Sequence, residues 1–435
     1  MEKKTCDCVV VGSGIGGMCA AAKLAHSGYK TIVIEKLPII GGRYTQIEYK
    51  GYQIPTAAWM ILYGKNDPVH LTLNEVGAPE IEMASTGPIP QIYRMGGKDH
   101  AMEGKGALRD MISWASRDKD EEERIMTALK RAILWYEPPD TMTFDDWLFQ
   151  FTDSKTVHNL FQCLVAAWAG ANSWEVTAGQ WFRVLKGMAV GGNPFILKNG
   201  VKDVTDALEK VIRDNKGEIL TRTRAKRIIV EDGFARGVAA EREGEGLEIE
   251  AQIVISNAGP RRTIELGGED SFDRAYLKEV QEKVRPATGI DYMITSDEPL
   301  LEAPTVLFTA DTQRLECFVG DRTPDGKYIL RSASVPESTA KYSAEQEYAI
   351  FLQDLKETFP DFDKCGGKIL IARNFYSDWP FYGTWPGDCL TQKTPIENLY
   401  NVGDAVIPEG WVGGSGAAES ARVVVEDIKA RVKPR

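Results

Sequence analysis

The chain has 435 residues, with 52 Lys and Arg against 63 Asp and Glu, for a formal net charge of −11. That length exceeds what one hydrophobic core ordinarily supports, so two intimately packed domains are expected. The acidic balance argues against a nucleic-acid-binding surface and offers no patch for an anionic membrane.

In chain order, Cys8 to Val11 read as a short buried strand. Gly12, Gly14 and Gly17 then fit G-x-G-x-x-G, and Ala20 to Ala25 supply the small apolar face of a helix. Thr31 to Ile34 read as a second strand with Glu35 at its end. Gly12 suits a tight turn, Gly14 lets the backbone approach a pyrophosphate, and Gly17 lets the helix pack closely on the strand. The helix N-terminus offers unpaired N–H groups and partial positive charge to phosphates. Glu35 can accept from ribose hydroxyls, and its charge disfavours a 2′-phosphate. A glycine triplet alone says little; with strand, helix, second strand and acid in register it points strongly to a dinucleotide.

Gly41-Gly42-Arg43 permits a second close approach and sets an arginine near phosphate. Tyr44 to Ile54 alternates like a hairpin turning at Lys50-Gly51, and Thr56 to Leu62 is apolar, with Trp59 and Tyr63 at hand. Pro68 to Pro90 reads as loop-rich, and Gly106 to Ser116 and Lys119 to Tyr136 as helices. Thr143 is a good N-cap for an aromatic-rich helical stretch from Phe144 to Met188, where an apolar ligand cavity competes with ordinary core packing. Val201 to Asn215 makes an amphipathic helix. Short strands follow at Glu218–Leu220, Ala225–Val230, Gly237–Glu241 and Leu247–Ile255, the last ending in Ser256-Asn257-Ala258. Ile290–Thr295, Thr305–Ala310, Arg314–Gly320 and Lys327–Ser334 read as an antiparallel sheet with a turn at Asp325-Gly326. Ser343 caps a helix to Phe359, and Lys368–Tyr376 returns to strand. Near the C-terminus, Asn398 to Val402 read as a buried strand with Gly403-Asp404 at its end. A glycine-rich turn, Gly410 to Gly416, opens a small-residue helix suited to an anion.

The seven cysteines are odd in number and scattered, and the four histidines show no metal-ligand spacing, so no metal is expected and a reducing cytoplasm fits. The N-terminus is already a folding element, so no signal peptide is expected, and membrane contact is peripheral at most.

The strand–G-x-G-x-x-G–helix–strand–Glu35 unit, Gly41-Gly42-Arg43, the meander ending at Ser256-Asn257-Ala258, and Gly403-Asp404 with its glycine turn resemble the flavin-containing amine oxidase and phytoene desaturase superfamily. Within it the chain resembles the phytoene desaturase, carotenoid isomerase and retinol saturase branch. The resemblance spans nearly the whole chain. It implies an α/β fold: a Rossmann-like, glutathione reductase-like FAD domain with a single dinucleotide site, interleaved with an α+β substrate domain. The FAD domain would comprise residues 1–67, 200–284 and 391–435. A helical part of the substrate domain would span 68–199 and its antiparallel sheet 285–390.

The resemblance also implies non-covalent FAD. Gly12, Gly14 and Gly17 would serve the pyrophosphate, Glu35 the ribose, Arg43 a phosphate, the backbone at Ala225 the adenine, and Asp404 the ribityl or pyrophosphate region. Trp411, Val412 and Gly413 would lie beside the isoalloxazine. Ile15, Gly16, Lys36, Gly42 and Gly403 complete the expected cofactor-binding set. The acidic residue that relatives often carry near Pro55-Thr56 is absent, and the usual glycine pair before the mid-chain helix is Asn199-Gly200. The turn at 410–416 has no cysteine, so attachment through it is not expected.

No second G-x-G-x-x-G follows a strand, so electrons would pass to or from a diffusible partner such as a quinone or oxygen. The resemblance implies redox chemistry at a carbon–carbon bond of a small apolar, isoprenoid-like or unsaturated substrate, with no acid–base residue marked. Tyr376, Trp379, Tyr382 and Trp385 are candidate lining residues; Tyr382, Trp385 and Trp411 are candidates beside the flavin. The rivals are an amine oxidase, with Trp411 and Tyr382 as its aromatic pair, and a GDP dissociation inhibitor-like protein without FAD.

Overall fold

The computed structural model describes residues 2–435 except 59, 103–106, 287, 313–314, 324–325, 337–342 and 377–381. Trp59, Asp325 and Trp379 therefore lie outside the described residues, as do the side chains of Tyr376 and Tyr382.

Five strands run parallel in the order Glu218–Leu220, Thr31–Ile34, Glu2–Val11, Glu245–Ser256 and Leu399–Asn401. Their buried runs are nearly continuous and apolar, because helices and further strands cover both faces. The long strand Glu245–Ser256 serves two neighbours on one side. Its first half pairs antiparallel with Phe234–Arg242, which pairs in turn with Thr223–Glu231, and its last three residues pair with Leu399–Asn401. The first strand starts at Glu2 rather than Cys8, since its ladder runs from Glu2↔Leu247 to Val11↔Ser256. Glu2, Lys3 and Thr5 are exposed, so no apolar signal marks them.

One face of this sheet is covered by the helices Ile15–His26, Lys202–Asp214 and Gly413–Arg431. Their contact surface is built from alanines (Ala20, Ala21, Ala417, Ala418, Ala421), which let the axes approach. A Cβ on Gly16 would lie 3.0 Å from the Ala417 carbonyl oxygen. The stretch 68–90 is not all loop: Pro68–Glu75 is a helix. Asp67 caps it by accepting from Val69 N at 2.9 Å, and Pro68 occupies its first turn. Val69 and Leu73 join the same core.

The second sheet has seven strands, in the order Lys368–Tyr376, Thr288–Ser296, Tyr328–Ser334, Leu315–Arg322, Thr305–Thr309, Gln91–Met95 and Lys98–Ala101. All pairs are antiparallel except Thr305–Thr309 with Gln91–Met95. Alternation divides its faces. Leu307 and Phe318 face a core with helix Ala344–Thr358, whereas Phe308, Cys317 and Val319 face the helical region.

Beside the helices Ala107–Ala115 and Lys119–Leu134, that region holds three aromatic-rich ones, Phe144–Phe149, Lys155–Ala169 and Ala178–Gly191. Thr143 caps the first, accepting from Asp146 N at 3.1 Å. Most of its aromatics are core rather than cavity wall. Phe144 has Phe161, Trp147, Trp181 and Phe182 within 5.2–6.0 Å, centroid to centroid. Among the described residues, no helix is long and apolar enough to cross a membrane.

The two chain ends meet at Asn257. Its N donates to Val11 O at 2.8 Å, and its Nδ2 donates to Val402 O at 2.9 Å. A Cβ on Gly14 would lie 2.4 Å from Asn257 Oδ1, and one on Gly403 2.8 Å from Nδ2. Gly14→Ala and Asn257→Ala should each cost about 1–3 kcal/mol. The double variant should lose less than their sum, because deleting the amide removes what the new methyl strikes. Urea unfolding of the four proteins measures this; strict additivity would show that the contact carries no coupling.

Candidate functional site

A cavity of about 870 Å³ opens where the parallel strands end. Residues directly following four of the five C-terminal strand ends line it, Gly12, Glu35, Asn257 and Val402, and Thr223 lies three residues beyond the fifth. Such a crevice is where doubly wound sheets take ligands, and the volume suits the roughly 300–1,000 Å³ of ligand sites.

Of the sequence-predicted residues, Gly12, Gly14, Ile15, Gly16, Glu35, Lys36, Gly42, Arg43, Ala225, Gly403, Asp404, Trp385, Trp411, Val412 and Gly413 all line this cavity. Gly17 lies beneath it, where a Cβ would come 2.3 Å from the Gly12 carbonyl oxygen. Tyr382 pairs through its backbone with Pro286, and its side chain lies outside the described residues.

Two helices present their N-termini here. Neither Gly14, before Ile15–His26, nor Val412, before Gly413–Arg431, supplies a side-chain cap. The leading N–H groups and the positive end of each helix dipole are therefore available to an anion or a developing negative charge. The walls at this end carry almost no side-chain bulk. Gly42, at φ +58°, would place a Cβ 3.4 Å from Gly14 Cα. These bare turns fit a pyrophosphate lying against backbone.

Glu35 is buried and held in place. Ser13 N and Oγ donate to its Oε2 at 3.0 and 2.7 Å, and Leu37 N donates to its Oε1 at 2.9 Å. Each oxygen keeps acceptor capacity for a further hydroxyl. Arg43 Nη2 donates to Asp404, so the two chain-end motifs also meet as an ion pair.

Trp411 sits in a clamped turn. Gln180 Nε2 donates to Trp411 O and Gly410 N donates to Gln180 Oε1, both at 2.8 Å. Tyr63 Oη donates to Gly410 O at 3.1 Å, and its ring meets Trp411 edge-on at 4.5 Å. Ser415, in the first turn of the C-terminal helix, donates to Asp67 at 2.5 Å. Burial pushes the Asp67 carboxyl up, while the Ser415 hydroxyl and the Tyr63 and Val69 N–H groups pull it back.

Beyond Trp411 the cavity changes character. Trp168, Leu62, Val335 and Trp385 line this end, together with Glu175 and Arg285. Glu175 Oε2 accepts from Asn172 N and Nδ2, both at 3.0 Å. Burial raises its carboxyl above the usual range; the Asn172 bonds and the field of Arg285 act against this. The Arg285 guanidinium lies 4.0 Å from the centre of the Trp385 ring.

Sequence reasoning missed Tyr63, Gln180, Glu175 and Arg285 as site residues. Each is distant in sequence from what it holds or faces, and none sits in a motif. Asn257 carried a signal, an asparagine directly after a buried strand.

The model of the family described as flavin containing amine oxidoreductase matches residues 15–429. An uncharacterized protein of Methanocaldococcus jannaschii is 25% identical over 432 residues, covering 96% of this chain and 98% of its own. A 4,4′-diapophytoene desaturase of Methylomonas is 24% identical over 58% of this chain and 53% of its own. The crystal structure of an oxidoreductase from Methanosarcina mazei superposes with a TM-score of 0.85 at 26% identity, covering 97% of this chain and all of that one. With its Rossmann-like sheet, paired glycine turns and a match from one motif to the other, the chain belongs to the flavin containing amine oxidoreductase family.

Proposed function

We propose that the chain is an FAD-dependent oxidoreductase exchanging a hydride with a carbon–carbon bond of a largely apolar substrate, by desaturation, saturation or flavin-assisted isomerisation. One observation carries this reading: a single cavity is lined both by the glycine turns and Trp411 and by the apolar Trp168, Leu62 and Val335. Gly12, Gly14, Ile15, Gly16 and the underlying Gly17 take the pyrophosphate. Glu35 and Lys36 take the ribose and the Ala225 backbone the adenine. Gly42, Arg43, Gly403 and Asp404 hold the phosphate and ribityl region. Trp411, Val412 and Gly413 lie along the ring system. When bound, the flavin supplies hydride acceptance or donation at N5.

The protein's own part is positional and electrostatic. Gln180 and Tyr63 fix the Trp411 turn, and with it the wall against which the substrate lies. The uncapped N-terminus of Gly413–Arg431 stabilises negative charge on the reduced ring. The aromatic end keeps water from the reacting carbon. The cofactor is non-covalent in this reading. Cys389, which lines the cavity, is a thiol whose ionisation burial disfavours and whose Sγ accepts from Thr384 at 3.0 Å. Electrons pass to or from a diffusible partner such as a quinone or oxygen. An amine substrate is the second reading, favoured by Glu175, the carboxyl that shares this end with Arg285.

The purified chain should be yellow and release free FAD on denaturation; a colourless chain that cannot take up FAD overturns the reading. Anaerobic bleaching should occur with isoprenoids or unsaturated acyl compounds, and bleaching by amines alone would favour the second reading. Gln180→Ala should keep FAD but slow that bleaching by about ten- to a hundredfold, since small misplacements of a reacting pair cost this much. Stopped-flow absorbance at saturating substrate measures it.

A further inference from the structure

We propose that Arg285 recognises an anionic head group, so that the substrate is a carboxylate bearing an apolar chain rather than a pure hydrocarbon. This deepens the function proposed above and rests on it. Arg285 is set by the short ladder in which Arg285 pairs with Gly383 and Pro286 with Tyr382. Its guanidinium is stacked on Trp385, whose 36% exposure places it at the solvent edge of the cavity. The stacking fixes the plane of the fork and leaves its N–H edge open.

Of the other arginines lining the cavity, three are engaged, and Arg224 stands next to Ala225, at the end assigned above to the adenine. Arg43 pairs with Asp404, Arg262 with Glu265, and Arg261 donates to Val284 O. For Arg285 the hydrogen bond found is a long one, Nη1 to Lys283 O at 3.4 Å. No carboxylate lies within 4.0 Å of it among the described residues. A half-buried guanidinium with most of its donors unused among the described residues is costly unless a ligand completes it. A carboxylate matches the fork with two parallel bonds. Glu175 feels the field of Arg285 but stands farther from it than an ion pair, so the donors of the fork stay open to a ligand.

The arrangement orients an amphiphile. The head sits at the mouth on Arg285, and the chain runs inward past Trp168 and Leu62 toward Trp411. The bond to be oxidised or reduced therefore lies in the apolar part, away from the head.

The probes are decanoate, decanol and decylamine, titrated against FAD-loaded protein by perturbation of flavin absorbance and against flavin-free protein by tryptophan fluorescence. Decanoate should bind more tightly than the other two. Arg285→Gln should weaken decanoate by about ten- to a hundredfold, the scale of a lost charge-assisted bond. Arg285→Lys should retain part of the affinity, and neither variant should change decanol binding. Thermal melting confirms that both variants fold. Equal binding of decanol or decylamine by the wild type, no decanoate binding, or unchanged affinity in Arg285→Gln would each overturn the proposal. A chain that takes up no FAD yet binds decanoate through Arg285 by fluorescence would sink the function and spare the head-group site.

Discussion

The amide of Asn257 sits between two turns, one from each end of the chain, and the cavity depends on that junction. Its Nδ2 holds Val402 O, its N extends the ladder from Val11, and its Oδ1 occupies space that only a glycine at 14 leaves open. The small surface between the first and last helices follows from the same constraint. Gly16 must lie against the Ala417 carbonyl for the turns at Gly14 and Gly403 to face each other. Replacing any of these residues by a larger one moves a turn, not only a side chain. The junction joins residues more than 140 positions apart, since Asn257 holds Val402.

The cavity is graded along its length. At the sheet end, backbone N–H groups and helix dipoles dominate, and a charged ligand replaces water with little reorganisation. Glu35 lies within this field but is fixed by Ser13 and Leu37, so a hydroxyl placed beside it would meet an acceptor already in position. At the middle, the Trp411 turn has its polar groups taken by Gln180 and Tyr63. A ligand there meets an apolar surface whose hydrogen bonds are already made. The far end is apolar except for Glu175 and Arg285. The polarity of the cavity thus falls toward the middle and returns at the mouth.

The sheet end was legible in the sequence because its requirements are local. A tight turn, a close approach and a helix start impose glycine at fixed spacings, and a parallel strand imposes an apolar run; both leave marks within a few residues. The caps at Thr143 and Ser343 were legible for the same reason. The helix Pro68–Glu75 leaves only the cap signal Asp67-Pro68, because eight residues give too little periodicity to stand out from loop. The aromatic stretch was ambiguous in principle. Phe144 and Trp181 are packed among other rings while Trp168 faces the cavity, and all three occur at helical spacing. Nothing in a one-dimensional pattern separates a ring that fills a core from one that lines a cavity.

The residues that distinguish this cavity from a generic flavin site are those with no local signature. Gln180 reaches across more than 200 positions to hold the Trp411 turn, and Arg285 is brought beside Trp385 by a ladder only two residues long. A glycine turn against a dinucleotide is constrained locally, by the close approach of backbone to phosphate, so it leaves a fixed spacing. A residue that faces the far end of the cavity needs only to arrive at the right wall, from any part of the chain. Substrate choice in this fold is therefore written in tertiary placement, and the charge of Arg285 at the mouth is the part of it that chemistry can read most directly. A hydrocarbon would leave that guanidinium facing water with nothing gained, whereas an acid turns it into an anchor that sets how far the chain reaches toward Trp411.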